Sequence, residues 1–326
     1  MPKTYYVADL KSGTRMKEIF YISSWNPART KNGKDYLRLK LMDRTGEVEA
    51  VCWDMTAEEL ADSLEKTYAI VTGGVSTYQD KVQVTVEYMQ RCTEGMDPAD
   101  FMPVGPNSSA DLEFEMDELI RSIKRSELRS LVEMILGAPD TRKLFLAAPA
   151  GKAMHHAYVG GLLEHTVSVA RNCDALCGFY PRIDRDLLIA GALLHDIGKT
   201  KEMGWVGPVV EYSEEGNLVG HLFIGAAMIR EYSVGIKGLD ELTAQLLEHI
   251  VLSHHGEYLY GSPVLPKCME AMLLHYADNI DAKMFQMNEA VAASDDRNDA
   301  GRFTGWIKSL ERPVFRGIQS NGYQED

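Results

Sequence analysis

The stretch LLIAGALLHDIGK, residues 187–199, decides how the second part of this chain folds. It begins with an unbroken apolar run, which predicts a helix that is buried on nearly every side. His195 and Asp196 follow at once, and we expect Gly198 to end the helix in the left-handed conformation. A buried carboxylate costs free energy unless it is paired or binds a metal. The stretch therefore indicates a metal site, in which Asp196 can bridge two cations and Lys199 can pair with a carboxylate or a substrate phosphate.

The histidines extend this prediction to other parts of the chain. All nine lie between His155 and His275, although the chain has 326 residues. Imidazole and carboxylate groups are the usual ligands of Mn, Fe, Co, Ni and Zn. We therefore predict a site for one or two divalent cations per chain. The candidate ligands come from five separate places and are His165, His195, Asp196, His221, His254, His255 and Asp278.

Apolar residues at helical spacing surround these motifs. They predict an all-α domain over residues 111–293, after a linker rich in Pro and Gly at 94–110 and before a polar tail at 294–326. The helices are expected at roughly 111–136, 140–147, 157–179, 185–198, 219–233, 239–254 and 266–287.

Residues 1–93 instead show the alternating pattern of β-strands. Strands are expected near 19–25, 34–42, 47–53, 68–77 and 81–88, with a turn or loop marked by Asn26-Pro27 and Asn32-Gly33 and a helix at 56–66. Five strands with one helix between the third and fourth is the order of a five-stranded OB-fold β-barrel. This fold commonly binds single-stranded oligonucleotides.

The charge of the chain is distributed unevenly. Residues 1–45 hold ten Lys and Arg against four Asp and Glu, a balance of +6, so the rest of the chain carries −20 of the total of −14. Rings can stack on bases while cations follow phosphates, and we predict that this region binds single-stranded RNA or DNA. A solvated strand face with the same residues is the alternative. The candidate nucleic-acid contacts are Trp25, Arg29, Lys31, Lys34, Tyr36, Arg38 and Lys40.

Composition and the absence of long apolar runs indicate where in the cell the protein is expected. The five cysteines form no CxxC motif, so reduced core cysteines are expected. No apolar run approaches the roughly 20 residues that a membrane span needs, and the amino terminus lacks the apolar segment of a secretory signal. We expect a cytoplasmic protein with no membrane partner, and homo-oligomerisation is left open.

The motifs resemble those of a known family. The pattern H…HD…H…HH…D on a helical domain is similar to the HD superfamily of metal-dependent phosphohydrolases. The stretches HHAYVGGLLEHT (155–166), HDIGK (195–199) and SHHGEYLYGSP (253–263) resemble a narrower group, the bacterial 3′-5′ exoribonucleases of the YhaM type. Those enzymes join an amino-terminal OB-fold to an HD domain.

The resemblance implies specific roles for the residues that match. One cation is expected on His165, His195, Asp196 and Asp278, and a second on His221, His254 and the bridging Asp196, with His255 as an alternative or extra ligand. Asp196, Lys199 and His156 are the expected catalytic residues, His156 by contact with substrate phosphate or by proton donation. Manganese is the expected ion, with Fe, Co, Ni, Zn or Mg as alternatives. The expected reaction is 3′-5′ hydrolysis of single-stranded RNA, with DNA as a further candidate substrate.

Two other functions remain open from the sequence. One is a different HD chemistry, either nucleotide phosphohydrolysis or cleavage of cyclic dinucleotides, although Gly261-Ser262-Pro263 stands where a G-Y-P would support the latter. The other is a single-strand-binding regulatory protein whose HD domain is catalytically silent. The complete set of candidate ligands argues against the silent domain.

Overall fold

The computed structural model describes residues 3–30, 32–53, 66–79, 81–105, 107–152, 156–296 and 301–317. The chain divides into two compact units. One comprises Met1–Gly105 with the short segment Gly204–Glu211, and the other comprises Pro106–Met203 with Tyr212–Asp326.

The first unit is built on a closed five-stranded barrel with the strand order β1-β2-β3-β5-β4. Its interior is filled by alternate residues of each strand, among them Leu37, Leu39 and Leu41, which are all buried. The barrel confirms the predicted OB-fold. The strands are β1 (Arg15–Arg29), β2 (Asp35–Asp43), β3 (Gly46–Cys52), β4 (Thr67–Tyr78) and β5 (Lys81–Arg91).

The barrel differs from the prediction at one turn. Strand β1 continues through Asn26 and Pro27, where we expected the chain to turn, and both residues pair with β2. The pairing of β1 with β4 ends at Ile22, so among the described strands Pro27 has a neighbour only on the β2 side. A proline is tolerated there because prolines in sheets are confined to edges, strand starts and bulges. The predicted helix at 56–66 lies outside the described residues, except for Lys66.

The second unit is mainly helical, as predicted, and its helices enclose one large apolar core. The predicted helix at 111–136 is two helices, because Ile123, Lys124 and Arg125 leave the helical conformation between them. The helices are α1 (Ser109–Ser122), α2 (Ser126–Gly137), α3 (Pro139–Ala147), α4 (Gly161–Cys177), α5 (Arg185–Leu194), α6 (Lys199–Glu202), α7 (Glu214–Ser233), α8 (Glu241–Ser253) and α9 (Met269–Asp296).

Helix α5 is buried over its apolar run, as predicted from the sequence. Its N-cap is Asp184, whose carboxylate accepts a hydrogen bond from the Leu187 amide. The left-handed conformation predicted for Gly198 is wrong, since its φ of −61° is right-handed. A Cβ on Gly198 would lie 2.1 Å from the carbonyl oxygen of His221. Glycine is needed here because the backbone of α7 packs directly against it.

A two-stranded hairpin between α6 and α7 was not predicted. Its strands are β6 (Met203–Val206) and β7 (Val209–Tyr212). Helix α7 then kinks at Gly220, where φ is 73°, and this kink lies directly before His221. None of the helices in the described part of the chain is long and apolar enough to cross a membrane.

Replacing Gly198 with alanine should destabilise the fold and disturb the site that follows. The added methyl group would press on the His221 carbonyl and the Gly225 amide, and overpacking of this kind costs about 1–3 kcal/mol. Urea denaturation should show this loss in the free energy of unfolding. Gly137→Ala is the matched control, because no described residue lies within 4 Å of the position that its methyl group would take. Equal stability of the two variants would contradict the packing role of Gly198.

Candidate metal centre and nucleic-acid groove

Four predicted ligands meet around one point of the helical unit. Nε2 of His165 on α4 lies 3.2 Å from Nε2 of His195, which follows α5, and 3.2 Å from Oδ1 of Asp278 on α9. Oδ2 of Asp196 lies 3.5 Å from the same His165 nitrogen and 3.4 Å from Nε2 of His195. The first group therefore contains two imidazoles and two carboxylates, brought together by three separate parts of the chain.

A second group shares the carboxylate of Asp196. Its other oxygen, Oδ1, lies 3.5 Å from Nε2 of His221 on α7 and 3.5 Å from Nε2 of His254, which follows α8. The rings of His221 and His255 are 5.2 Å apart, and His221, His254 and His255 could together hold a metal ion. The structure thus brings all seven predicted ligands into two adjoining groups.

The protonation of these rings indicates what the second group can bind. Nδ1 of His254 lies 2.8 Å from the Val251 carbonyl, and Nδ1 of His221 lies 2.9 Å from a Glu202 carboxylate oxygen. Both Nδ1 atoms must donate, since their partners can only accept. Burial, together with the neighbouring rings of His255 and His195, keeps the pKa of His254 well below its usual value despite Asp196. Nε2 of His254 therefore faces Asp196 with a lone pair.

Two buried atoms at this point lack a hydrogen-bond partner among the described residues. They are Oδ1 of Asp196 and Nε2 of His221. Buried polar atoms are normally satisfied, and the carboxylate oxygen and the lone pair of His254, 3.5 Å apart, repel unless a cation lies between them. The donor set fits a divalent metal ion with nitrogen and oxygen ligands.

The first group also attracts a cation. Burial alone would lower the pKa of His165, but its contacts with Asp278 and Asp281 outweigh burial and raise that pKa to about 9. Burial would likewise raise the pKa of Asp278, yet the His165, His195 and His254 rings hold it below its usual value. Binding of a metal ion to Nε2 of His165 must therefore compete with a proton.

The barrel carries a groove of about 460 Å³ on the outer faces of β2, β3 and the β4–β5 turn. The rings of Tyr36 and Trp53 stack in it with their centroids 4.6 Å apart, and Nε of Arg38 donates to the Tyr36 hydroxyl at 3.0 Å. Tyr78 is 60% exposed at one end of the groove, beside Lys81. OB-folds bind oligonucleotides on this part of the barrel.

Comparisons with known proteins agree with both halves of this description. The HD domain family model matches residues 162–283, and the family model for an OB-fold nucleic acid binding domain matches residues 21–91. The 3′-5′ exoribonuclease YhaM of Geobacillus sp. (strain WCH70) is 33% identical over 316 residues, which covers 94% of each chain. This chain belongs to the YhaM family. The YhaM of Bacillus subtilis (strain 168) is also 33% identical, over 93% of this chain and 95% of its own.

Lys199, the last residue of the HDIGK motif, lies next to the carboxylate of Asp196, which both ligand groups share. Its ammonium group donates to Oδ2 of Asp196 and to the Ala150 carbonyl, both at 2.7 Å. Burial would raise the pKa of Asp196, but Lys199 and the His195 and His221 rings hold that pKa well below its usual value. Asp196 is therefore ionised and able to bind metal through both oxygens.

His156 lies behind the first group of ligands. Its Nδ1 is 2.7 Å from the Tyr158 hydroxyl and its Nε2 is 3.4 Å from Oδ2 of Asp281. The described residues that line the pocket at Asp196 and Asp278 do not include His156. Its predicted contact with substrate stays a prediction. The carboxylate beside it, Asp281, is the one that hydrogen-bonds His165. His155 lies outside the described residues.

Two carboxylates that orient the ligands were missed in the sequence. Oδ2 of Asp281 accepts a hydrogen bond from Nδ1 of His165 at 2.8 Å, and Oε1 of Glu202 accepts from both the backbone amide and Nδ1 of His221 at 2.9 Å. Carboxylates of this kind fix the tautomer and orientation of a metal-binding imidazole. Asp281 was recognisable, because it lies one helical turn after Asp278. Glu202 was not, because no local pattern relates it to His221, which lies 19 residues further along the chain.

The seven predicted nucleic-acid contacts separate into different environments. Tyr36 and Arg38 line the groove, whereas Trp25 pairs with Leu39 across the strands and packs against the barrel core. Arg29 forms an ion pair with Asp35, and Lys40 forms one with Glu47. Lys34 is exposed in the loop before β2, and Lys31 lies outside the described residues. Trp53, Tyr78 and Lys81 are groove residues that the sequence analysis missed.

Changing Glu202 to glutamine should weaken metal binding at the second group only. The substitution removes the charge behind His221, and loss of such a partner typically lowers metal affinity about 10–100-fold. Manganese titration by calorimetry should show one weakened site and one unchanged site. Glu248→Gln is the matched control, because Glu248 is also buried but pairs with Arg230; equal effects of the two substitutions would contradict the role of Glu202.

Proposed function

We infer that this protein is a metal-dependent 3′-5′ exoribonuclease that hydrolyses the phosphodiester bonds of single-stranded RNA. The observation that carries this inference is that imidazoles of both ligand groups lie against the carboxylate of Asp196. It occurs in a chain that is similar, over 94% of its length, to a protein named as an enzyme of that class. The 3′-5′ exoribonuclease activity of the two relatives supports the direction of cleavage and the RNA substrate.

The ligand sets support two cations per chain, with Asp196 between them. His165, His195 and Asp278 would complete the first set, and His221 and His254, with His255 beside them, would complete the second. Neither set includes a thiolate, which favours Mn, Fe or Co over a structural zinc site, and manganese is the ion that we propose. Such cations supply a water of lowered pKa and neutralise the charge of the phosphate.

The residues of the chain contribute position and charge. Lys199 is fixed by the Ala150 carbonyl, so its ammonium group stays against Asp196 and lines the pocket beside it. A positive charge there favours the entry of a phosphodiester into a site that is otherwise rich in carboxylates.

The barrel groove is the proposed site at which single-stranded RNA is captured. The stacked Tyr36 and Trp53 rings and the exposed Tyr78 ring can each receive a base, and Arg38 and Lys81 can contact phosphates. Stacking tolerates every base, as a degradative enzyme requires. DNA has the same bases and phosphates, so discrimination against it must come from contacts with the ribose.

Replacing Asp196 with alanine should abolish hydrolysis without removing the capture of RNA. The substitution removes the ligand that both metal groups share, whereas the groove belongs to the other unit. A 5′-labelled single-stranded RNA incubated with Mn²⁺ should be shortened from its 3′ end by the natural protein and remain intact with the variant. Binding of the same RNA, measured by fluorescence anisotropy, should be nearly unchanged.

The control for this experiment is Asp111→Ala, since Asp111 is an exposed carboxylate in the first turn of α1. It should leave the rate unchanged. Turnover by the Asp196 variant at the natural rate would contradict the proposed centre. Hydrolysis of mononucleotides or cyclic dinucleotides, with none of RNA, would favour the alternative HD chemistries.

Alanine at Trp53 should weaken RNA binding without changing the chemistry. Loss of one stacking partner costs about 1–3 kcal/mol, so the dissociation constant should rise roughly 5–150-fold while the rate at saturating RNA stays the same. Tyr88→Ala is the matched control, because Tyr88 is also 60% exposed on the barrel but does not line the groove. Equal loss of affinity in both variants would place the capture site elsewhere.

A further inference from the structure

The pocket beside the metal centre continues along one face of α9, beyond the candidate ligands. Asn279, Lys283 and Gln286 line it at intervals of four and three residues, a spacing that places side chains on one face of a helix. Tyr260, in the 3-10 helix Tyr258–Tyr260, lines the pocket as well. None of these four residues belongs to either metal group.

Gln286 is the residue in this face that points to a ligand. Its Oε1 atom is buried and has no hydrogen-bond partner among the described residues. A buried amide oxygen without a donor costs free energy, and such an atom in a pocket wall marks a place where a ligand can supply one. Gln286 comes eight residues after Asp278, so it lies roughly 12 Å further along the helix axis.

Tyr260 and Lys283 offer contacts that are common to every nucleotide. The side chain of Tyr260 is exposed, and its backbone carbonyl lies 2.9 Å from Nδ1 of His255, which fixes this loop beside the second metal group. Its ring can stack on any base. Lys283 is an exposed cation that contacts the Ser309 carbonyl at 3.4 Å, and it can contact a phosphate.

We propose that this face is the subsite for the 3′-terminal nucleotide and that Gln286 hydrogen-bonds a hydroxyl of its ribose. The proposal rests on the exoribonuclease function proposed above. An enzyme that removes every nucleotide in turn needs contacts that do not depend on the base, and the ribose hydroxyls meet that requirement. They are donors and acceptors at once, so they can satisfy either atom of the amide. Tyr260 then holds the base and Lys283 the phosphate.

The test uses three RNA oligonucleotides that differ only in the last sugar, which is ribose, 2′-deoxyribose or 3′-deoxyribose. Removal of the terminal nucleotide is measured as kcat/KM. The natural protein should lose about fivefold on one of the two deoxy substrates, since a net hydrogen bond contributes about 1 kcal/mol. Gln286→Met, which keeps the length of the side chain, should lose about fivefold on the ribose substrate and nothing further on that deoxy substrate.

Gln245→Met is the matched control, because Gln245 is an exposed helical glutamine on α8. It should behave as the natural protein does on all three substrates. The proposal is overturned when Gln286→Met slows all three substrates equally, or when the natural protein does not distinguish them. A natural protein that shortens none of the three contradicts the exoribonuclease function itself, so the two failures are distinct.

A binding measurement makes the test independent of turnover and of the folding of the variant. AMP and its 2′-deoxy and 3′-deoxy forms are titrated calorimetrically into the natural protein. AMP should bind about fivefold more tightly than one of the deoxy forms, by the same net hydrogen-bond contribution. Equal affinities for all three nucleotides would contradict the proposed contact with the ribose.

Discussion

The carboxylate of Asp196 is the group on which the helical unit depends. It is buried, ionised and in contact with four imidazoles, so a protein without compensating charge could not hold it. Lys199 supplies one compensating charge at 2.7 Å from Oδ2. The other oxygen has no donor among the described residues, although two imidazole nitrogens lie 3.5 Å from it. A metal ion bound there would supply the positive charge that this oxygen lacks.

The elements around Asp196 are arranged to keep that oxygen and those nitrogens in place. The imidazoles of His195 and His254 are fixed by carbonyls of the turns that precede them, and that of His221 by Glu202. Gly198 lets α7 approach closely enough to bring His221 to the carboxylate. A rigid arrangement of this kind costs stability in the absence of cations, which ties metal affinity to the folding of the unit.

The sequence predicted those features that depend on residue type and period. The apolar run before His195 could only form a buried helix, and alternation along β2 placed Leu37, Leu39 and Leu41 in a barrel interior. Imidazoles and carboxylates drawn from separate motifs predicted a shared site because few other contexts tolerate them when buried.

The remaining features depend on tertiary contacts that no local pattern encodes. Glu202 and His221 meet although they lie 19 residues apart, and Gly198 proved to be a packing glycine where a helix stop was expected. Arg29 and Lys40 were identified by charge, yet each pairs with an acid in the adjacent part of the barrel. Trp53 was not identified, because one aromatic residue at the end of a strand shows no periodic sequence pattern.

Anomalous diffraction from crystals grown with Mn²⁺ would locate the cations directly. Two manganese peaks about 3.5–4 Å apart are expected, one beside each oxygen of the Asp196 carboxylate. The first should contact His165, His195 and Asp278, and the second His221 and His254. Manganese bound away from Asp196, or none bound at saturating concentration, would contradict the account.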